Sequence, residues 1–254
     1  MDNKKTALVT GASSGIGRST AVRFAEEGYN VAICARNESE LHKTLEMINE
    51  TGAEGLIITA DLSVEEDIAM VLERTIEKFG RLDALVNAAG VIATGTVEDT
   101  SVNQWDMMMN INLRSVFLLM QKAVVHLEKT KGAVVNVSSV TGTRAFPGIL
   151  SYCVSKAGVD QLTRCTALEL APKGIRVNAV NPGVVRTNLH KNGGMDQDAY
   201  KAFVEHSKST HPLGRIGEPE EVAELILFLA TEKSSWITGT TVSIDGGRAQ
   251  TCAR

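Results

Sequence analysis

Residues 10–17 read Thr10-Gly11-Ala12-Ser13-Ser14-Gly15-Ile16-Gly17, and the reading of the whole chain turns on them. They follow a short apolar run at 6–10, which has the length and character of a buried strand. They open an amphipathic stretch at 15–27, in which Ile16, Ala21, Phe24 and Ala25 recur at helical spacing. Glycines at such a junction let the backbone approach a pyrophosphate, and the helix N-terminus offers free N–H groups and a positive dipole. Glycine-rich turns are common, so the weight lies in the position of this one, after a first strand and before a first helix.

The same alternation runs outward from that junction. Apolar runs at 31–35, 55–60, 84–88, 133–137, 177–180 and 241–244 take turns with amphipathic stretches at 38–50, 64–79, 103–127, 150–171 and 220–229. Strands and helices in strict alternation predict right-handed crossovers and a doubly wound, seven-stranded parallel sheet with helices on both faces. No Pro/Ser-rich linker or shift in composition divides the chain, so 1–254 is expected to form one α/β domain. The longest departure, 188–217, is polar and carries Gly193-Gly194. It is expected to hold one short helix and to be either a lid over a site or a surface loop.

Composition narrows the function classes. Of 254 residues, 43% are hydrophobic and 22% charged, which excludes low-hydrophobicity disorder. The net charge is −4 and no Lys/Arg block exceeds two residues, which argues against a nucleic-acid partner. Cys34, Cys153, Cys165 and Cys252 lack a C-x-x-C spacing and are expected to be reduced. The start carries no apolar signal core or Arg-rich leader, and no apolar stretch approaches the ~18 residues of a membrane span, so the expected location is cytoplasmic. His190, His206 and His211 fall in the late departure without metal-site spacing, and the expectation is no metal and solvent-facing rings. Met107-Met108-Met109 is assigned to helix packing, and Lys129, Lys131 and Lys173 either to a solvated surface or to a small basic patch at the rim of a site.

The glycine spacing G-x-x-x-G-x-G resembles the Thr-Gly-x-x-x-Gly-Ile-Gly signature of the short-chain dehydrogenases/reductases, NAD(P)(H)-dependent enzymes on a Rossmann fold. The resemblance covers nearly the whole chain, and its general look is that of the branch containing 3-oxoacyl-carrier-protein reductases. It implies that Gly11, Ser13, Ser14, Gly15, Ile16 and Gly17 hold the cofactor phosphates, and that Asp61 and Leu62 lie at the adenine. Asn87, Ala88 and Gly90 match the family motif after the fourth strand; Pro182, Gly183, Val185 and Thr187 match the segment that holds the nicotinamide. The same resemblance makes Asn112, Ser139, Tyr152 and Lys156 the catalytic set, with Ser139 and Tyr152 also touching substrate, Lys156 holding the nicotinamide ribose, and Asn112 supporting a water relay to Lys156.

The residue types suit that chemistry. Tyr152 and Lys156 are four apart, so a helix puts them on one face. A tyrosine of ordinary pKa near 10 is a poor base at neutral pH, and a neighbouring cation is expected to bring it down. Ser139 ends a strand at the sheet edge where such folds bind ligands, and its hydroxyl can stabilise charge on a substrate oxygen. Arg36 and Asn37 follow the second strand, where an NAD-specific site usually carries a carboxylate, so the cofactor expected is NADP(H) in preference to NAD(H). Against this, the glycine loop has Ser13 and Ser14 where many NADP-dependent relatives add a second basic residue. Arg144 and Phe146 fall in the loop expected to set specificity, Arg144 facing a substrate carboxylate or, more simply, water.

The function expected is an NADPH-dependent carbonyl reductase acting on a small ketone or secondary alcohol. The alternatives are an NAD-linked alcohol or hydroxysteroid dehydrogenase and, from another class, a non-catalytic nucleotide-binding scaffold. The helices at 103–127 and 150–171 carry apolar residues in excess of one sheet face, among them Val116, Leu119, Val159, Leu162 and Leu168. Relatives pair these helices between subunits, so a homotetramer is expected.

Overall fold

The computed structural model describes residues 4–251. Among them seven strands, β1 (Thr6–Thr10), β2 (Asn30–Ala35), β3 (Gly55–Thr59), β4 (Ala84–Asn87), β5 (Ala133–Val137), β6 (Arg176–Pro182) and β7 (Thr241–Ile244), pair in the order β3-β2-β1-β4-β5-β6-β7. Every pairing is parallel. The strand order reverses between β1 and β4, and the crevice beyond the carboxyl ends of the strands there is where open α/β sheets bind ligands.

Side chains that alternate along each strand feed two separate cores. On one face Ala7 and Val9 of β1 and Val31 and Ile33 of β2 pack with Phe24 from α1 (Gly15–Glu26), Leu41 and Ile48 from α2 (Glu38–Glu50), and a late helix described below. On the other, Leu8, Ala32 and Cys34 pack with Ile68 and Val71 of α3 (Glu65–Phe79) and the helices that follow β4 and β5. Burial pushes the Cys34 thiol up to about 12, so it stays an inert core group. Cys153 and Cys165 are also unpaired, and Cys252 lies outside the described residues.

The helix expected at 103–127 is built in three pieces. α4 (Val102–Met109) runs into a π-turn at Asn110–Arg114, and α5 (Ser115–Thr130) continues it. An i→i+5 turn admits one extra residue, and such bulges mark sites where a side chain must be re-aimed. The side chain re-aimed here is Asn112, fully buried and bonded to both backbone groups of Val91. Of the three methionines, Met108 is buried and Met107 is exposed.

Beyond α6 (Leu150–Leu170) and β6, the departure at 188–217 holds two helices rather than one: α7 (Leu189–Asn192) and α8 (Gln197–Thr210). Asp196 caps α8 by accepting from the N–H groups of Asp198 and Ala199. α9 (Pro219–Ala230) then packs Val222 and Ile226 into the first core, its start fixed by Pro219 and a Glu218–Glu221 capping box.

Two surface expectations change. Val116, Leu119 and Val159 are buried within the chain, while Leu168 is open as expected, 78% exposed, and shares the open apolar faces of α5 and α6 with Phe117, Val125 and Val154. Lys131 and Lys173 precede β5 and β6, which places them at the amino edge of the sheet, opposite the site, with Lys173 paired to Glu128 at 2.8 Å. Among the described residues no helix is long and apolar enough to cross a membrane.

Candidate active site

The turn from β1 into α1 is shaped by its glycines. Gly11 has φ +67°, and a Cβ there would lie 2.8 Å from the backbone of Ala89, beyond β4. Gly17 has no room because a Cβ would run into the Gly11 carbonyl oxygen, and at Gly15, φ +52°, it would meet the Thr187 methyl at 2.8 Å. Thr10 ties the same two loops together, its hydroxyl oxygen accepting from the N–H groups of Ala88 and Ala89 at 3.1 and 3.2 Å. The N-cap Ser14 makes no side-chain cap, so the first-turn N–H groups of α1 are left for a ligand.

That turn forms one wall of a cavity of about 1360 Å³. Single small-molecule sites commonly occupy about 300–1,000 Å³, so there is room for a dinucleotide and a second molecule. The cavity is lined by Gly11, Ser13, Ser14, Gly15, Ile16 and Gly17, by Arg36, Asn37, Asp61 and Leu62 at one end, and by Ala88 and Gly90. Ser139, Tyr152, Lys156, Pro182, Gly183, Val185 and Thr187 complete the set that the sequence motifs brought forward. Asn87 and Asn112 do not line it. Asn87 donates to the Asn136 side chain at 2.8 Å, and Asn112 spends its amide on Val91, Met108 and Ser155. Both brace the site from behind.

Tyr152 and Lys156 sit on α6, and Ser139 follows β5. Ser139 is near enough to the Tyr152 hydroxyl to act on its acidity, whereas Ser138 donates to the Lys156 carbonyl at 3.1 Å. The Lys156 ammonium donates to the Val137 carbonyl at 2.8 Å and stands 5.8 Å from the Tyr152 ring centroid. Burial pushes the Tyr152 hydroxyl up to about 12, with Ser139 pulling the other way. Burial also holds Lys156 down to about 8, opposed by the charge of Asp160 one turn further along α6. The expected lowering of Tyr152 by Lys156 is thus not met in the chain by itself, because desolvation is the larger influence on both groups. Asp160 is buried, accepts from Asn181 at 2.8 Å, and is raised above the usual carboxylate range by its burial.

At the other end of the cavity Arg36 is exposed and makes no ion pair among the described residues, and its charge helps to lower Asp61, whose carboxylate chiefly accepts from the Ser63 N–H and hydroxyl. Asn37 caps α2 through its side-chain oxygen. Two residues here escaped the sequence reading. Glu40 lines the cavity, and its carboxylate is held by Arg18 and Lys43 at 2.6 Å each. The Arg18 guanidinium also donates to the Ser13 carbonyl, so a basic residue does support the glycine loop, from one turn inside α1 rather than from within it. These residues fit a dinucleotide: a glycine cradle, open N–H groups, and cations toward one end.

His211 is the third omission, and it overturns an expectation. The ring is buried, not solvent-facing. Its Nδ1 meets the Ser207 carbonyl at 2.7 Å and its Nε2 accepts from the Val184 N–H at 3.1 Å. A carbonyl only accepts, so the proton is on Nδ1 and the imidazole is neutral. The ring thereby pins the Pro182–Gly183–Val184 turn; only its place just before Pro212 could have flagged it. Arg144 is not left to water either: its Nε donates to the Ala249 carbonyl at 2.6 Å. Among the described residues no cluster could hold a metal ion.

Comparison with known proteins places this geometry. Residues 11–249 match a family model described as enoyl-(acyl carrier protein) reductase. The chain is 41% identical over 249 residues to a 3-oxoacyl-[acyl-carrier-protein] reductase of Thermotoga maritima, covering 96% of this chain and 97% of that protein. A short-chain dehydrogenase/reductase of unknown function from Caenorhabditis elegans, solved with cofactor, superposes with TM-score 0.93 at 38% identity, covering 98% of this chain and 96% of the other. Levodione reductase superposes with TM-score 0.91 at 33% identity over 98% of each chain.

Proposed function

The chain belongs to the short-chain dehydrogenase/reductase family, and from that premise we propose that it is an NADPH-preferring carbonyl reductase acting between a ketone and a secondary alcohol. The observation that carries this is the meeting of Ser139, Tyr152 and Lys156 in the same cavity as the glycine cradle. When bound, the dinucleotide supplies the hydride or takes it up. In reduction Tyr152 gives its hydroxyl proton to the carbonyl oxygen, and Ser139 hydrogen-bonds that oxygen as charge develops on it. Lys156, held against Val137, supplies the positive charge that makes the phenolate attainable from a starting value near 12. In this reading Asn112 acts through its bracing of Val91 and Ser155.

NADPH preference is supported by Arg36, which has no ion pair among the described residues, and by Arg18 and Lys43, which already neutralise Glu40, one of the carboxylates at that end. Residues 188–217, with α7, α8 and His211, form the substrate lid of a single catalytic domain. The open apolar faces of α5 and α6 support a homotetramer, and the family resemblance a cytoplasmic enzyme. Relatives named as a 3-oxoacyl-[acyl-carrier-protein] reductase and as levodione reductase set the first substrates to try. The test is NADPH and NADH oxidation over 3-oxoacyl thioesters, steroids, quinones and small diketones. Turnover of at least one carbonyl supports the reading, and none with either cofactor refutes it.

A further inference from the structure

The charges lining the cavity are unevenly placed. Its carboxylates, Glu38, Glu40 and Asp61, all come from the ends of β2 and β3 and the start of α2. At the opposite end, between the loop after Ser139, the α7–α8 segment and the turn at 248–250, no acid among the described residues lines the cavity. Among its histidines, His211 is neutral, its Nε2 accepting from the Val184 N–H, and burial lowers His190. The one arginine there is Arg248.

Arg248 is held as a binding group would be. It rides on a short turn, Arg248–Gln250, whose backbone is fixed from two sides. The Asp245 carboxylate accepts from the N–H groups of Gly247 and Ala249 at 2.9 and 2.6 Å, and Arg144 takes the Ala249 carbonyl. The guanidinium lies over the Phe146 ring, 5.2 Å from its centroid. Its own hydrogen bonds are two long ones from Nη1, 3.4 Å to the Thr210 carbonyl and 3.5 Å to the Thr251 hydroxyl, both far beyond the usual 2.9–3.0 Å. The Nε and Nη2 donors have no acceptor among the described residues, and no carboxylate there pairs with the guanidinium. A guanidinium with that edge open matches the two oxygens of a carboxylate.

We propose that the substrate is an oxo acid, its carbonyl at Tyr152 and its carboxylate held in two hydrogen bonds by Arg248. This rests on the reductase reading above and names the substrate class of that site. The test uses the full chain with NADPH and three pairs, 2-, 4- and 5-oxohexanoate and their methyl esters, in wild type, Arg248→Met and Arg248→Lys. A charged hydrogen bond predicts that for at least one spacing kcat/KM favours the acid over its ester by about 10- to 150-fold. That ratio falls toward one in Arg248→Met and is partly kept in Arg248→Lys. A second measurement needs no turnover: hexanoate raises the thermal midpoint of the wild type but not of Arg248→Met, and hexanamide raises neither. Esters reduced as well as acids at every spacing, or hexanoate protecting both proteins alike, overturn the proposal while the reductase reading stands. Hexanoate protecting the wild type alone, with no carbonyl reduced, leaves the carboxylate site standing and removes the reductase reading.

Discussion

Replacing Arg36 by alanine should erase most of the cofactor preference while leaving carbonyl chemistry in place. Arg36 directly follows the last residue of β2, lines the cavity, and makes no ion pair among the described residues that would have to break before it met a 2′-phosphate. A charged hydrogen bond contributes about 1.5–3 kcal/mol, or roughly 10- to 150-fold in affinity. Because Arg36 is exposed, water screens part of that, and the lower end of the range, about tenfold, is the working value. The assay is kcat/KM for NADPH and NADH with one saturating carbonyl, at ionic strengths of roughly 0.1 and 1 M, across which the Debye length falls from about 10 to 3 Å. Wild type should favour NADPH by about tenfold or more at low salt and less at high salt. Arg36→Ala should bring the ratio close to one through a higher KM for NADPH. Equal efficiency of the two cofactors in wild type, or a ratio untouched by the substitution, would take the 2′-phosphate away from Arg36.

Three other consequences are open to measurement. His211→Ala leaves the Val184 N–H without its acceptor, so urea unfolding should show a loss of about 1–3 kcal/mol together with a raised KM for NADPH; unchanged values would return His211 to a bystander. Lys156 is held at about 8 by burial against an ordinary 10.5, so between those values the unfolded chain binds a proton that the folded chain has released, and stability rises with pH. Wild type should therefore gain stability over Lys156→Met between pH 7.5 and 9.5, and a constant difference would contradict the buried charge. Leu168→Glu, on the open face of α6, should lower the particle mass in light scattering from a tetramer; a wild type that is already monomeric at micromolar concentration removes the assembly.

The sheet was legible because each buried strand is a short apolar run followed by a helix of clear period. β1, for instance, stands at Thr6–Thr10, as its composition predicts. The glycine turn was legible for the same reason: its demand is local, a φ of +67° and a backbone neighbour where a Cβ would go. The π-turn was not, since Asn110-Ile111-Asn112-Leu113 fits an ordinary helix and the extra residue becomes visible only through bonds to Val91, 21 positions away. Distance along the chain likewise hid the roles of Asn87, spent on Asn136, and of Arg144, spent on Ala249. The second helix of the departure, α8, is largely polar, with Tyr200 and Ser207 its buried residues, so periodicity gave little signal there. Apolar pattern also could not say which side chains of α5 and α6 the sheet would consume: Leu119 and Val159 are inside, while Val125 and Leu168 are not.

The proposed chemistry turns on proton transfer by Tyr152 in a cavity that takes a reduced dinucleotide. Its most direct test is Tyr152→Phe, with NADPH affinity read by fluorescence titration and turnover read on whichever carbonyl the wild type reduces best. The ring stays and only the hydroxyl beside Ser139 is removed, so fold and NADPH affinity should be retained. Turnover should fall by at least about 10²-fold, the lower end for general acid catalysis. A variant that binds NADPH normally and reduces the carbonyl at a near wild-type rate would contradict the account.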